Sequence, residues 1–468
     1  MRHLLSRFSF GVTPQLVKQA TADGGASAWF ERQLSPGKTS DAAAQAMRAW
    51  YPQLDYEAGD RYDVQDSERS SWEQMMDLGR WTALQRIASK RQVHEVMVDF
   101  WSNLLHVPLT DDKSWPHRAG YDTMIRAGAF GSFADLLVGA ITHPAMGCYL
   151  DNAVSTKTSV NENLGRELLE LHTVGVDAGY TEAMVRDSAR ILSGWRVDMW
   201  DSWTPFYATS DHATGPVTVL GFSEPNDARD GRELTERYLR YLAAHPLTAR
   251  RLARRLAVHF VSDAPSDALV SAVARAYSDS GTSIRATLRA LVAHPDFAAS
   301  AGAKVRTPGE DAIATYRALG LSVQRPLTGD DFGHAVIYQL GNMAQMPFGW
   351  PAPNGFPDVG AAWSSVGRVL ASLDLHRTMA HGWWPSTGVT HRDWTEWLSA
   401  MPCTVAQVVD TASRRLLCRP ADTTATNACC QLIGMDPIRS LSRPDDLGAW
   451  RLGQILQTLL NSPAHVAR

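Results

Sequence analysis

The chain has 468 residues, of which 44% are hydrophobic and 20% are charged, and its formal net charge at pH 7 is −4. This composition is typical of a globular protein, and a weakly acidic chain lacks the basic surface that nucleic acids and anionic membranes attract. No apolar run approaches the ~20 residues that cross a bilayer, and the opening MRHLLSRFSFGV lacks the apolar centre of a secretory signal. We therefore expect no nucleic-acid partner, no membrane segment and, for the chain as given, a cytoplasmic location.

Helical periodicity dominates the sequence from end to end. Apolar residues recur at three- and four-residue steps in nine segments: 92–105, 132–142, 161–173, 181–195, 233–244, 247–261, 266–278, 283–293 and 452–461. The only convincing strand is TVLGF at 218–222. The sequence therefore predicts an all-α protein, a single large helical domain over residues 1–468 with at most a small β element.

Three histidines precede a proline at points where the helical pattern breaks off. They lie in THPAM (142–146), AHPLT (244–248) and AHPDF (293–297). Proline cannot continue a helix, and a histidine in the last turn suits the negative end of the helix dipole. We therefore expect His143, His245 and His294 to serve helix ends rather than a binding site.

Three segments interrupt the helical pattern. Residues 196–232 and 322–364 are rich in tryptophan, glycine and proline, and both are longer than most connections, so we predict irregular loop insertions. Tryptophan in such loops either stacks on a flat ligand or fixes the loop to the core. The third segment, 401–445, carries four cysteines, namely Cys403, Cys418, Cys429 and Cys430. Their spacing matches no zinc pattern, so local disulfides and reduced thiols are both open, whereas Cys148 is expected to be buried.

Polar residues form a stripe along the helix predicted near residue 165. Glu162, Arg166 and Glu170 are four residues apart and share one face, opposite the leucines, and Glu167 flanks them. His172 falls at the edge of the apolar face, where an imidazole needs a hydrogen-bonding partner.

The next helix repeats this arrangement after a turn that contains Gly175 and Gly179. Glu182, Arg186 and Arg190 form a second stripe, and a short connection predicts an antiparallel helical hairpin. Arginines of one helix could pair with carboxylates of the other. The alternative is that both stripes are solvated faces with weak intrahelical ion pairs.

The hairpin sequence ENLGRELLELHTVGVDAGYTEAMVRDSARILSGW (162–195) resembles the signature of the bacterial family called domain of unknown function 1800. The resemblance extends over most of the chain, through HLLSRFSFGVTP (3–14), MVDFWSNLLHV (97–107), HPAMGCYLDN (143–152), VTVLGF (217–222), HFVSDAP (259–265), AKVRTPGE (303–310) and PFGWPAPNGFPDV (347–359). It implies that the charged hairpin is a hallmark of the family. Relatives often read Phe-Trp-x-Asn-His where this chain has Leu104 in the last place. Of the nearby residues, only His106 could then replace that histidine.

The first functional hypothesis is a hydrolase that acts on a carbohydrate-like or aromatic small molecule. Glu167 and Glu170 would divide the general acid and base roles, and His172 is an alternative base. The residues expected to bind the substrate are Arg166, Arg186, Arg190, Trp195, Trp101, Asn103, His106, Trp350 and Trp363. We expect the two tryptophan-rich loops to close over the hairpin.

A metal-dependent enzyme is an alternative, since Glu167, Glu170, His172, His94 and His106 are suitable ligand types. However, the chain has no HExxH or CxxC pattern, and it lacks the GxSxG nucleophile motif, GxGxxG and the P-loop. We therefore predict no cofactor and no metal ligand.

The third hypothesis is a non-catalytic binding partner. The family resemblance implies a frequent gene neighbour, a sulfatase-like protein that commonly carries a twin-arginine export signal, and co-export with that protein is compatible with a chain lacking its own signal. An enzyme should have a pocket with carboxylates of displaced pKa, whereas a partner should have an exposed apolar patch and paired charges.

Overall fold

The structure is a computed structural model that describes residues 1–326 and 331–468. Its described residues fold into 24 α-helices and four very small sheets, which confirms the predicted all-α class. None of the helices in these two ranges is both long and apolar enough to span a bilayer.

The helices of the first half of the chain are short except at 71–128, where three of them follow each other. They are α1 (Arg2–Arg7), α2 (Pro14–Ala22), α3 (Ala26–Gln33), α4 (Ala42–Ala46), α5 (Ala58–Asp63), α6 (Ser71–Ala88), α7 (Gln92–Leu104), α8 (Trp115–Gly128), α9 (Phe133–Ile141), α10 (Pro144–Tyr149), α11 (Asn163–Glu167) and α12 (Glu182–Leu192).

Most helices of the second half exceed ten residues. They are α13 (Arg232–Ala244), α14 (Pro246–Phe260), α15 (Asp267–Asp279), α16 (Ile284–Ala293), α17 (Pro295–Ala299), α18 (Pro308–Leu319), α19 (Phe332–Asn342), α20 (Val366–Ala380), α21 (Val405–Leu417), α22 (Thr423–Ile433), α23 (Ala449–Leu460) and α24 (Pro463–Val466). All nine segments with predicted helical periodicity form helices, so the three- and four-residue pattern of apolar residues is confirmed there.

Each sheet is a pair of antiparallel strands. The pairs are β1 (Trp195–Val197) with β2 (Pro205–Tyr207), β3 (Val217–Val219) with β4 (Phe222–Glu224), β5 (Ser322–Val323) with β6 (Val389–Thr390), and β7 (Cys403–Thr404) with β8 (Ser440–Leu441). The strand predicted at 218–222 is in fact a hairpin. Leu220 and Gly221 form its two-residue turn with φ values of 49° and 91°, the left-handed conformation that tight hairpins require.

One main cluster of buried apolar side chains extends from Leu4 in α1 to Leu460 in α23. Consecutive helices pack on one another along much of the chain, for example α14 on α15 and α15 on α16. The first and last helices therefore share a core, and the backbone N–H of Arg468 donates to the carbonyl of Lys304 at 2.8 Å.

The three histidines before prolines begin helices. In each case Nδ1 accepts the backbone N–H two residues later, from Ala145, Leu247 and Asp296 respectively. Proline at the first helical position has no N–H, so the N–H of the following residue donates to the histidine that caps the helix. His143, His245 and His294 thus lie at helix ends as predicted, but the expected last-turn contact with the dipole is wrong.

The segments predicted to be irregular differ in outcome. Residues 196–232 hold two hairpins and no helix before α13, whereas α19 lies in the middle of 322–364, and residues 327–330 fall outside the described residues. Gly333 and Gly341 weaken the helical signal of α19, and packing against α6 supplies its stability. Helices α21 and α22 occupy most of 401–445. All five cysteines are free thiols, and Cys148 is buried as expected.

The charged hairpin forms as predicted, and its helices cross at a glycine. A Cβ on Gly165 would lie 2.7 Å from the backbone nitrogen of Ala189 on α12. Ser188 donates its hydroxyl to the Gly165 carbonyl at 3.1 Å, so the two backbones are in direct contact. Only glycine permits this approach.

We predict that Gly165→Ala lowers the free energy of unfolding by about 1–3 kcal/mol, because the added methyl meets backbone that no rotamer change can move. Urea unfolding monitored by circular dichroism measures the loss. Gly341→Ala is the matched control, since no atom lies within 4 Å of its added Cβ, and it should be neutral or stabilising by about 0.5–1 kcal/mol. Equal effects of the two substitutions would contradict the crossing.

Candidate functional site

A π-helical turn ends the first helix of the hairpin. After α11 the chain widens into a π turn over Leu168–His172, and the Thr173 hydroxyl donates to the Leu168 carbonyl at 2.6 Å. A π turn accommodates an extra residue, which changes the direction of the side chains that follow. Because of this turn, the helix of the predicted site is not a continuous α-helix.

His172 is buried beneath this turn, as its place on the apolar edge predicted. Its Nδ1 donates to the carbonyl of Leu104 at 3.0 Å, and its Nε2 has no hydrogen-bonding partner among residues 1–326 and 331–468. Burial lowers the pKa of His172 to about 4, and the nearby charges of Arg251 and His106 act in the same direction. The imidazole is therefore neutral at pH 7 and connects the hairpin to the end of α7.

Glu167 and Glu170 lie at the half-buried rim of the hairpin. Burial and the neighbouring Glu170 raise the pKa of Glu167. Glu170 lies 3.8 Å from Arg166 and hydrogen-bonds with the Tyr180 hydroxyl, whose pKa burial and this bond raise to about 12. Glu167 has no ion-pair partner within 4 Å among the described residues, whereas Glu170 has Arg166.

Two of the three arginines in the stripes form ion pairs or hydrogen bonds within the protein. Arg166 pairs with Glu182 across the hairpin at 2.5 Å, as the two stripes suggested. Arg190 pairs with Asp187 at 3.0 Å and donates to the carbonyls of Thr214, Gly215 and Pro216. Arg190 thus fixes the first tryptophan-rich segment against α12, while Arg186 is exposed.

Two predicted residues, one on α7 and one just after it, hold the second tryptophan-rich loop, residues 347–359. The Asn103 side chain donates to the carbonyl of Phe356 at 2.8 Å and accepts its N–H at 2.6 Å. His106 Nε2 donates to the Trp350 carbonyl at 2.7 Å, and burial lowers the pKa of His106 to about 4. The loop can approach α7 this closely because residue 355 is a glycine. A Cβ at Gly355 would lie 2.2 Å from the Asn103 carbonyl oxygen. These side chains are therefore engaged with the protein itself.

The tryptophans of the predicted site separate into three groups. Trp101 is buried and donates to the Ala129 carbonyl at 3.1 Å, so it is part of the core. Trp350 and Trp363 flank Phe356 with ring centroids 5.3 and 6.0 Å apart, which makes a half-exposed aromatic row. Trp195 lines a different cavity of about 350 Å³, together with Tyr207.

Tyr149 links the 347–359 loop to the surroundings of Glu167. Its hydroxyl donates to the carbonyl of Pro351 at 3.0 Å, and burial, Asp111 and Glu167 together raise the pKa of this hydroxyl to about 12. Tyr149 is therefore in contact with the loop and within reach of the charge of Glu167. Larger cavities of about 720 and 760 Å³ are lined by other residues.

A buried group of charges next to the loop was missed by the sequence reasoning. Asp358 accepts a hydrogen bond from His259 Nδ1 at 2.9 Å, and Lys304 donates to the Asp358 carbonyl at 2.6 Å and to Asp263 at 2.5 Å. Burial opposes ionisation of Asp358, but His259, Arg255 and Lys304 outweigh it and lower its pKa to about 2.

The signal for this group was present in the family resemblance. His259, Lys304 and Asp358 come from the segments 259–265, 303–310 and 347–359, and Asn103 comes from 97–107. Four of the segments quoted for the resemblance therefore meet in space, although they are far apart in the chain.

The predicted metal ligands do not form a group of three. His94 Nε2 contacts the Arg126 carbonyl at 2.9 Å, and His106 and His172 bond to backbone carbonyls. Within the described residues, one group of three His, Cys, Asp or Glu side chains has the spacing of a metal site, namely Asp311, His376 and His465.

We predict that His172 makes the protein less stable between about pH 6.5 and pH 4. The unfolded chain takes up a proton near pH 6.5, whereas the folded imidazole resists it until about pH 4, so stability falls as the pH drops through this window by about 3 kcal/mol. In His172→Asn, whose amide can still donate to Leu104, the urea midpoint should depend less on pH from 6.5 to 4. Above pH 7 the two proteins should show parallel pH profiles. Equal pH dependence in the acid window would contradict a buried neutral His172.

Comparison with curated proteins and with solved structures found no match. A family model described as "Protein of unknown function (DUF1800)" matches residues 3–466. The match includes the hairpin, α7, the 347–359 loop and the buried charges beside it. The chain therefore belongs to the DUF1800 family.

Proposed function

We propose that this protein is a binding partner of a second protein, which docks on an exposed apolar face of α20. The observation that carries the proposal is a stripe of aliphatic side chains on this helix. Val366, Val369, Leu370 and Leu373 are 40 to 76% exposed and follow the i, i+3, i+4, i+7 spacing of one helical face. We call these four residues the α20 stripe.

The other face of the same helix is already buried. Ser372, Leu375, His376 and Met379 point into the protein, so the core does not need the α20 stripe. A helix that packs on one side normally presents polar residues on the other side. Contiguous exposed aliphatic residues on a protein surface that faces water commonly mark a binding site for another protein.

The surroundings of the α20 stripe favour a helix or a flat apolar surface as the occupant. Exposed aromatic residues continue the surface, since Arg377 lies over the ring of Trp383, 5.3 Å from its centroid, and Trp383 stacks near Trp450 at 5.9 Å. Asp374 and Arg377 are exposed at the end of the stripe and could pair with opposite charges of the partner. Tryptophan and arginine beside aliphatic residues are typical of interface centres.

The hairpin supports the same proposal. Arg166 and Arg190 have partners within the protein, and His172, Asn103 and His106 hold its elements together. Paired charges and an exposed apolar patch were the features expected of a partner protein. The occupant to which we commit is the sulfatase-like protein that the family resemblance implies as a gene neighbour. Binding to its signal-bearing precursor would also allow co-export.

Leu370→Asp should weaken binding to the sulfatase-like protein that the family resemblance implies by roughly 30-fold, because a central apolar contact is worth about 2 kcal/mol and a buried charge adds a cost. The two full-length proteins are co-expressed, and their affinity is measured by calorimetry. Leu432→Asp is the control, since Leu432 is an exposed aliphatic residue on α22, and it should leave the affinity unchanged.

Two outcomes would overturn the proposal. The proteins could fail to bind, or Leu370→Asp could bind as well as Leu432→Asp does. If the chain alone forms dimers that Leu370→Asp dissociates, the α20 stripe is an interface between two copies, and the proposed occupant is wrong.

A hydrolase is the second candidate, and the raised pKa of Glu167 supports it. A half-buried carboxyl that keeps its proton to higher pH is suited to general acid catalysis. The nearby aromatic row of Trp350, Phe356 and Trp363 offers faces on which a sugar or aromatic ring can stack. We propose a carbohydrate-like or aromatic small molecule as the substrate for this activity.

Glu167→Gln should lower any hydrolysis of nitrophenyl glycosides or aryl esters by about 10²–10⁴-fold, the usual contribution of a general acid. Activity of the unchanged protein should fall as the pH rises and Glu167 loses its proton. Glu182→Gln is the control, because it changes only the exposed pair with Arg166. Full activity of Glu167→Gln, or no turnover of any substrate in the panel, would remove this candidate.

A further inference from the structure

We propose that Asp311, His376 and His465 bind a divalent transition-metal ion, with zinc as the best-suited ion, and that this ion fastens the C-terminal helix to the core. Their side chains come from α18, α20 and α24. Their ligand atoms all lie within 4.8 Å of one another. This proposal is independent of the function proposed above.

The distances between the ligand atoms support an ion. Asp311 Oδ1 lies 3.3 Å from His376 Nε2 and 3.4 Å from His465 Nε2. Zinc binds nitrogen and oxygen at about 2.0–2.1 Å in tetrahedral geometry, so two of its ligand atoms are about 3.3–3.4 Å apart. Both distances fit that spacing.

A direct hydrogen bond would be shorter. Imidazolium and carboxylate bond at about 2.7–2.9 Å. Two other bonds of the same group are short, since Ser372 Oγ lies 2.5 Å from Asp311 Oδ2 and His376 Nδ1 lies 2.7 Å from Asn461 Oδ1. Both contacts through Asp311 Oδ1 are longer than these two bonds.

The proton of His376 is directed away from Asp311. Asn461 Oδ1 is an acceptor, so Nδ1 of His376 donates to it and carries the ring proton. In the neutral ring, Nε2 then presents a lone pair to the carboxylate oxygen of Asp311. Two electron-rich atoms in this arrangement repel each other unless a proton or a metal ion lies between them, and their 3.3 Å separation is that of two ligands of one zinc ion.

The remaining contacts resemble the outer ligand sphere of a metal site. Ser372 and Arg368 hold the second carboxylate oxygen of Asp311, at 2.5 and 3.4 Å. Asn461 fixes the His376 ring through its other nitrogen. Metal-binding histidines and carboxylates usually have such partners, which orient them toward the ion.

The ligands and their burial favour a structural ion. Two imidazoles and one carboxylate suit zinc. Thr315 Oγ1 lies 3.1 Å from His465 Nε2 and donates to the Asp311 carbonyl at 2.9 Å. The three ligand residues are at most 4% exposed, so a substrate cannot reach them. The ion would join α18, α20 and α24. A second contact between α18 and the end of the chain is the ion pair of Glu310, the residue before Asp311, with Arg468 at 2.5 Å.

The test uses the full chain without an affinity tag, freed of metal by a chelator. On adding Zn²⁺ or Co²⁺, we expect one ion per chain by elemental analysis, the visible absorption of tetrahedral Co²⁺, and a higher Tm. His376→Gln should abolish the Co²⁺ absorption. Asn461→Ala keeps all three ligands and should lower metal affinity by about 10–100-fold. His381→Gln, a partly exposed imidazole just after α20, should leave metal binding unchanged.

Two results would overturn the proposal. One is a chain that takes up less than stoichiometric metal and shows no shift in Tm. The other is a His376→Gln protein that keeps the Co²⁺ absorption, because the ion would then lie elsewhere. If His376→Gln does not fold, the metal content and Co²⁺ spectrum of the unchanged chain and of Asn461→Ala still decide the question.

Discussion

Charges can be buried only when other charges or hydrogen bonds neutralise them, because removing an unpaired ion from water costs several kcal/mol. This constraint organises the attachment of the 347–359 loop. The charge of Asp358 can be buried beside the core because His259 and Lys304, from two other parts of the chain, bind this residue. Asn103 of α7 and His106 just after this helix complete the attachment through the loop backbone. The position of this loop, and of the aromatic row on it, therefore depends on a set of polar contacts that must form together.

The hairpin obeys the same constraint in another way. Its ionised groups stay at the surface, where Arg166 and Glu182 face water, and only the neutral ring of His172 enters the core. The π turn makes this division of charged and neutral groups feasible, since it reorients the end of the helix. One side of the hairpin thus contacts the end of α7 through His172. The other side carries the half-buried Glu167.

The nine segments with clear apolar periodicity all form helices, because this periodicity reports directly on one-sided burial. The sequence did not single out α6, α8, α18 or α20, and it assigned α19 to an irregular segment because two glycines and burial by neighbouring helices obscure the pattern. For the candidate site, periodicity placed His172 in the core edge and the stripes on the surface. Asp311, His376 and His465 could not be found this way, since they lie on three helices far apart in the chain and share no local motif. Contacts of that kind depend on tertiary packing, which one sequence does not reveal.

Helix α20 carries residues of both proposed sites on a single register. Ser372 and His376 face inward, and Leu370 and Leu373 face outward, so the inner and outer sets are fixed relative to each other at about 100° per residue. A one-residue insertion or deletion between Val366 and His376 would turn one set away from its surroundings while the other stayed in place. The length of this stretch is therefore more constrained than its composition, because a substitution alters one side chain whereas a change in spacing turns a whole face.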